Sequence, residues 1–308
     1  MAKLPPRIRI SAPVTPFSKK GEFMPDAFAE IVRWHINHGT RGFLVAGDNG
    51  EHWALSPEEI GQITAITMRE TRGELPVYVG AWAIREREAI QRAEAAAKAG
   101  AYGLCVKPQP YVHTWAEASR ADIVGRYEAI TRAVPLPMMV YNSPNRTGVN
   151  ISHDVLRAIC DVADVECLKD TNGDANFLMQ RVLQFNERLS VLVGGAFFYT
   201  GMLLGAGGTI ATVNDLFGHD ADRMFEFEKM SVDERRELLI RELEVGRAIN
   251  YLGSIPTAYK TAWNMMGLPA GHLRDPLRPL TPEQDGELRQ VLIKWGALDG
   301  QGERREAR

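Results

Sequence analysis

Two residues that close apolar runs carry the clearest chemical promise. Lys169 follows Val165, Cys167 and Leu168, a stretch that reads as a buried strand. An ammonium held in a desolvated strand mouth loses hydration, so its pKa falls and the free amine becomes a nucleophile toward a carbonyl carbon. The same residue also reads as a structural cation paired with a carboxylate such as its neighbour Asp170. Tyr141 closes a second run, at 138–141. A phenol there could pass protons between an amine and a substrate oxygen, as imine formation requires, or simply cap the core.

Three further clusters bear on binding. In Gly47-Asp48-Asn49-Gly50 the glycines let successive N–H groups converge, which makes either an anion nest suited to a carboxylate or a plain tight turn. Gly194-Gly195 permits close approach of a ligand, or again a turn. Arg146, just after Pro144, is placed either to grip a carboxylate bidentately or to sit on a solvated loop. No GxxxxGK[ST] and no strand-linked GxGxxG occurs, so phosphate-cradling motifs are absent. Seven histidines form neither HxH nor HExxH, which disfavours a metal-dependent aldolase. Of these only His52 stands near a strand end; His35 and His38 read as helix-surface residues.

The elements that must position these groups alternate regularly. Candidate strands lie at 7–14, 42–46, 77–80, 103–106, 138–141, 165–169, 191–193 and 209–213. Amphipathic helical stretches lie between them, at 25–38, 57–71 and 85–99 among others. Gly39, Gly73 and Gly100 follow helices where a left-handed cap belongs. Ser56, Pro57 and Glu59 read as a capping box with proline at the first helical position. Such alternation demands parallel strands with right-handed crossovers. Eight units in this length predict a (β/α)8 TIM barrel rather than an open doubly wound sheet, with working residues where strands end and βα loops begin. The uncharged stretch 189–214 is long enough to span a bilayer, but its glycines split it into strand, helix and strand. Beyond Lys229 the pattern is helical, at 233–252, 256–266 and 282–295. The expected organisation is a barrel over 1–229, a C-terminal helical appendage over 230–298 and a polar tail over 299–308.

The whole chain is consistent with this. Its 308 residues carry 36 Lys plus Arg against 39 Asp plus Glu, a net charge of −3. That field is too weak to recommend nucleic acid or an anionic membrane as a partner. Cys105, Cys160 and Cys167 form no CxxC pair, which suits a reducing compartment, and the start lacks a signal-like apolar stretch. The expectation is a cytoplasmic enzyme with no metal and no cofactor.

Taken together, Gly47-x-x-Gly50-Glu51, Tyr141-Asn142-x-Pro144-x-Arg146-Thr147-Gly148 and Lys169-Asp170 resemble the dihydrodipicolinate synthase/N-acetylneuraminate lyase superfamily, from about Ile10 to Leu298. The resemblance implies a class I mechanism on pyruvate or a related 2-oxo acid. Lys169 forms the imine, Tyr141 shuttles protons and the backbone of Asp48 and Asn49 holds the carboxylate. Arg146, Gly194, Ile210 and Tyr111 complete the substrate-binding set. It also implies a homotetramer built as a dimer of dimers. Within it, an aldolase or dehydratase of a carboxylated 2-oxo acid is the first reading and dihydrodipicolinate synthase the second. A non-catalytic barrel that binds a small acid is the alternative of another class.

The departures from the pattern are informative. The synthases carry two threonines where this chain has Asp48 and Asn49, and an ionised Asp48 would repel the substrate carboxylate. Asp48 must therefore turn outward or find a cation, for which Lys107 is the candidate. Tyr111 is shifted by a residue from the tyrosine pair of the synthases. Pro57, Ile60 and Ile84 fall where the lysine-feedback site of some synthases needs polar ligands, so lysine inhibition is not expected.

Overall fold

The computed structural model describes residues 4–110, 119–194 and 198–301. Its strands are β1 (Ile8–Ser11), β2 (Phe43–Val45), β3 (Val77–Gly80), β4 (Gly103–Val106), β5 (Met138–Asn142), β6 (Val165–Asp170), β7 (Ser190–Gly194) and β8 (Gly208–Ala211). Each pairs in parallel with the next, and β8 pairs with β1 to close the barrel. The expected (β/α)8 TIM barrel is what forms. The first and last strands are shorter than the apolar runs suggested, because the residues flanking them bend out into loops.

The helices are α1 (Pro25–Asn37), α2 (Pro57–Thr71), α3 (Glu86–Lys98), α4 (Arg120–Ala133), α5 (Pro144–Thr147), α6 (His153–Val162), α7 (Ala175–Phe185), α8 (Phe198–Leu203), α9 (Val232–Tyr251), α10 (Ile255–Met265) and α11 (Pro282–Lys294). Local chemistry sets their ends. Ser56 and Glu59 form a reciprocal capping box with Pro57 at the first position of α2. Gly39, Gly73 and Gly100 all take positive φ, as left-handed caps do.

Period-two alternation sorts the strand side chains. Leu44, Tyr78, Cys105, Met139, Cys167, Leu192 and Ile210 fill the barrel interior. Phe43, Val45, Val77, Val79, Leu104, Val140, Leu168 and Val191 point outward to the helices. Within the stretch 189–214 lie β7, α8 and β8, so its uncharged run is divided among two barrel strands and a covering helix. No helix among the described residues is long and apolar enough to cross a membrane.

After β8 a 3-10 segment (Asn214–Lys229) leads into α9, α10 and α11. These helices share a second core with α1, in which Ile31 and Trp34 pack with Tyr259 and Trp263. That packing corrects the placement of His35. It is fully buried, with its ring 5.2 Å from that of Trp263, because α10 covers the side of α1 that a lone barrel would leave wet.

Candidate active site

The interior parity of Met139 and Cys167 continues two residues further along each strand. It therefore turns Tyr141 and Lys169 into the barrel's C-terminal mouth. The two stand side by side in the β5–β6 register. Lys169 Nζ sits over the Tyr141 ring, 4.3 Å from its centroid. Lys169 is 7% exposed. Burial pushes its pKa below the ordinary value; the charge of Asp48 and nearby Cys105 oppose this, while Lys107 and Arg146 add to it. Gly194, at the end of the adjoining strand, makes room for this lysine. A Cβ there would lie 3.3 Å from Lys169 Cε and 2.7 Å from Thr171 Cγ2. Ile210, opposite Gly194 in register, is buried in the same interior lining.

Of the two outcomes open to Asp48, turning outward or finding a cation, the second is the one that forms. Lys107 Nζ donates to Asp48 Oδ1 at 2.8 Å, and both side chains are buried. His52 Nε2 lies 3.2 Å from the same oxygen. The other oxygen, Oδ2, accepts from the Tyr141 hydroxyl at 3.1 Å. Burial alone would raise the Asp48 pKa, but Lys107, His52 and Lys169 outweigh it and hold the carboxylate well below its usual range. Desolvation takes His52 down to about 4, so its ring is neutral at neutral pH. Trp82 walls this corner, with Lys107 Nζ 4.6 Å from its ring centroid and the His52 ring 4.8 Å away.

The 47–51 turn is fixed from both sides. Asn49 Nδ2 donates to the Ala12 carbonyl and to Thr212 Oγ1, which commits that side chain to joining the ends of β1, β2 and β8. Glu51, in the left-handed region at φ 56° and fully buried, ion-pairs with Lys260 of α10. Its second oxygen accepts the backbone N–H of Arg274. The C-terminal helices thus reach the active-site turn directly.

Asp170 has the opposite parity to Lys169 and turns outward. There it faces Arg181 of α7 at 3.6 Å and accepts from Asn142 and the Asn172 backbone. The reading in which Lys169 merely pairs with Asp170 is therefore wrong, and strand alternation is the reason. Arg146 projects from α5, exposed, with no ion-pair partner among the described residues. It is close enough to lower the pKa of both Tyr141 and Lys169. Tyr111 and Gly195 lie outside the described residues.

A family model for the dihydrodipicolinate synthetase family matches residues 6–294. The chain belongs to that family. As a dihydrodipicolinate synthetase family member it is a lyase, and its relatives match it end to end. The 4-hydroxy-tetrahydrodipicolinate synthase of Syntrophus aciditrophicus is 28% identical over 94% of this chain and 98% of its own. That of Syntrophobacter fumaroxidans is 29% identical over 92% and 97%. Among solved structures, a dihydrodipicolinate synthase from Bacillus anthracis superposes with a TM-score of 0.87 at 25% identity, covering 93% of this chain and 97% of that one. The Thermotoga maritima enzyme does so at 0.86 and 26%, covering 95% and 99%.

Two residues of this family member were not legible in its sequence. Lys260 sits in a helix with no motif around it, and its role depends on a contact 209 positions away. His52 carried two local signs, its place near a strand end and its spacing of four from Asp48, but neither named the partner it takes.

Proposed function

We propose that this chain is a Schiff-base-forming lyase acting on pyruvate or a carboxylated 2-oxo acid. One observation carries the reading: a buried lysine of lowered pKa standing over a buried phenol at the barrel mouth. The neutral Lys169 amine attacks the keto carbon, and the carbinolamine loses water to give an imine. Loss of a proton from the adjacent carbon gives an enamine. That enamine adds to an aldehyde, and in the reverse sense it forms by retro-aldol cleavage of a longer 2-oxo acid; the enamine of a 4-hydroxy-2-oxo acid can instead expel its 4-hydroxyl as water. Tyr141, whose ring lies 4.3 Å from the Lys169 amine, is placed to exchange the protons. The backbone N–H groups of residues 48 and 49 would hold the substrate carboxylate. Gly194 and Ile210 shape the pocket behind it.

Arg146, exposed and without an ion-pair partner among the described residues, suits a second carboxylate. That favours a dicarboxylate product or substrate. It also keeps open the second reading, condensation of pyruvate with aspartate semialdehyde, which the names of the relatives support. The replacement of the synthases' threonine pair by Asp48 and Asn49 favours the first reading, an aldolase or dehydratase of a carboxylated 2-oxo acid.

Borohydride reduction in the presence of pyruvate, followed by peptide mass mapping, tests the chemistry and its address. An adduct on Lys169 is expected; its absence there removes the proposal. Pyruvate with aspartate semialdehyde, and separately 4-hydroxy-2-oxo acids, then decide between the two readings. Arg146→Ala should raise KM for the doubly charged substrate and leave the half-saturation for pyruvate unchanged.

We also propose a homotetramer. Adjacent helices α7, α8 and α9 expose Leu183, Leu203, Ile240 and Leu243, an apolar face that self-association would cover. Light scattering on the purified protein reports the assembly directly.

A further inference from the structure

We propose that Asp48 fixes the direction of the Tyr141 hydroxyl, so that the phenol meets the substrate as a proton acceptor, and that Lys107 keeps Asp48 ionised for this task. The inference rests on the Schiff-base reading and extends it to the side chains of Asp48 and Lys107, to which that reading gives no chemical role.

A phenol has one O–H to donate and two acceptor positions, whereas an ionised carboxylate can only accept. The Tyr141–Asp48 contact at 3.1 Å therefore has a single polarity while Asp48 is charged: the Tyr141 proton points at Asp48 Oδ2. Ser143, two residues on, adds a smaller influence that lowers the Tyr141 pKa. With its proton committed to Asp48, the phenol has its acceptor side left to face the carbon acid held on Lys169, whose Nζ is 4.3 Å from the ring centroid. A protonated Asp48 would reverse the arrangement, since its own O–H could then donate to the phenol. Tyr141 would be left to present its proton to the substrate.

The charge of Asp48 is set by what faces it. Lys107, from the end of β4, donates to Oδ1 at 2.8 Å. His52, from the turn after β2, lies 3.2 Å from the same oxygen and is neutral. Lys169 of β6 contributes at longer range, and Tyr141 of β5 donates to Oδ2. Arg92 acts on His52, and Cys105 and Arg146 act on Lys169. Lys107 is the largest opponent of the burial that would otherwise protonate Asp48.

The arrangement also resolves a difficulty of the phenol. Burial and the Asp48 charge raise the Tyr141 pKa well above 10, so a free phenolate is a poor intermediate. In the geometry described, a proton leaving the substrate carbon joins the Tyr141 oxygen as the original O–H proton passes to Asp48. One proton enters the phenol and one leaves. The substrate becomes the enamine, Asp48 becomes neutral, and the reverse transfer restores both. The phenolate is never formed. Asp48 and Lys107 are thus positioning residues, acting through Tyr141.

The test is the exchange of pyruvate methyl protons into D2O, followed by NMR at saturating pyruvate. Under that condition Lys169 is already an imine and its own titration drops out. The wild-type exchange rate should be flat on the acid side to about pH 5. Lys107→Met should gain an acid limb that the wild type lacks, because buried Asp48, without its cation, takes up a proton at higher pH. Lys107→Arg should restore the flat profile, and Asp48→Asn/Lys107→Met should lack the limb. A Lys107→Met profile that overlays the wild type, with any change confined to the pyruvate half-saturation, overturns the inference. If Lys107→Met does not fold, Asp48→Asn alone carries the test at pH 7. Its amide can donate to the phenol and turn the O–H back, so exchange should slow by at least about tenfold; an unchanged rate overturns the inference. Wild-type enzyme that yields no borohydride adduct on Lys169 takes down the Schiff-base reading and this inference together. An adduct with no effect of Lys107 takes down this inference alone.

Discussion

Lys260→Met isolates the contribution of the C-terminal helices to the active-site turn. Glu51 is fully buried and Lys260 is 2% exposed. The lysine donates to Glu51 Oε1 at 2.5 Å and to the His272 carbonyl at 2.6 Å. Methionine preserves the volume but leaves the carboxylate with the Arg274 N–H as its one remaining hydrogen-bond partner among the described residues. Removing one member of a buried pair costs about 3–5 kcal/mol, because the other is left uncompensated. The lost bond to His272 adds about 1 kcal/mol. At roughly 2 °C per kcal/mol for a chain of this size, the melting temperature should fall by on the order of 10 °C.

The double variant Glu51→Gln/Lys260→Met should recover at least half of that loss. Its amide is neutral and can still accept the Arg274 N–H. Thermal unfolding of the three proteins measures this. Steady-state kinetics adds the functional half: a loosened 47–51 turn should raise the pyruvate KM with little change in kcat, the signature of lost ground-state binding. A single variant that melts within about 2 °C of wild type, or a double variant no better than the single, refutes the reasoning.

Gly194→Ala should lower the rate of adduct formation by on the order of 10- to 100-fold. The new Cβ would press on Lys169 Cε at 3.3 Å and on Thr171 at 2.7 Å, and small misplacements of a reacting group are costly. The accompanying stability loss should be about 1–3 kcal/mol by melting, and an unimpaired trapping rate would count against the placement of Lys169. The pH dependence of trapping at subsaturating pyruvate has a defined sign. The amine reacts only when neutral, so the rate should rise with pH to a midpoint below the ordinary lysine value of 10.5, since burial depresses the pKa. A midpoint at or above that value would contradict the buried setting. Free lysine should leave turnover unchanged at millimolar concentration, because Pro57, Ile60 and Ile84 offer no polar ligands, Ile60 lying wholly in the core. Strong inhibition in a coupled assay would remove that expectation.

Much of the fold was legible because its causes are local. Period-two apolar runs, the Ser56–Glu59 capping box and the left-handed glycines at 39, 73 and 100 each act within a few residues. Their alternation leaves a closed parallel barrel as the natural arrangement. The same alternation turned Lys169 and Tyr141 inward at the strand ends; their place there nominated them, and the family resemblance singled them out from the structural alternatives.

What the sequence left open turns on charges and contacts between distant segments. The residue types left Asp48 either turned outward or paired with a cation, for which they nominated Lys107, 59 positions away; barrel closure decided that the two meet, and that Tyr141 and His52 share the same carboxylate. The choice between a nucleophilic Lys169 and one paired with Asp170 was settled by the opposite parity of adjacent strand residues and by Arg181, which draws Asp170 outward. His35 became a core residue, and Lys260 a partner of Glu51, through the packing of α10. The sequence by itself determined which groups this protein has and which strand ends carry them. Only the tertiary structure decided which charges neutralise one another, because Coulomb attraction and desolvation depend on distance and burial, and neither is encoded by spacing along the chain.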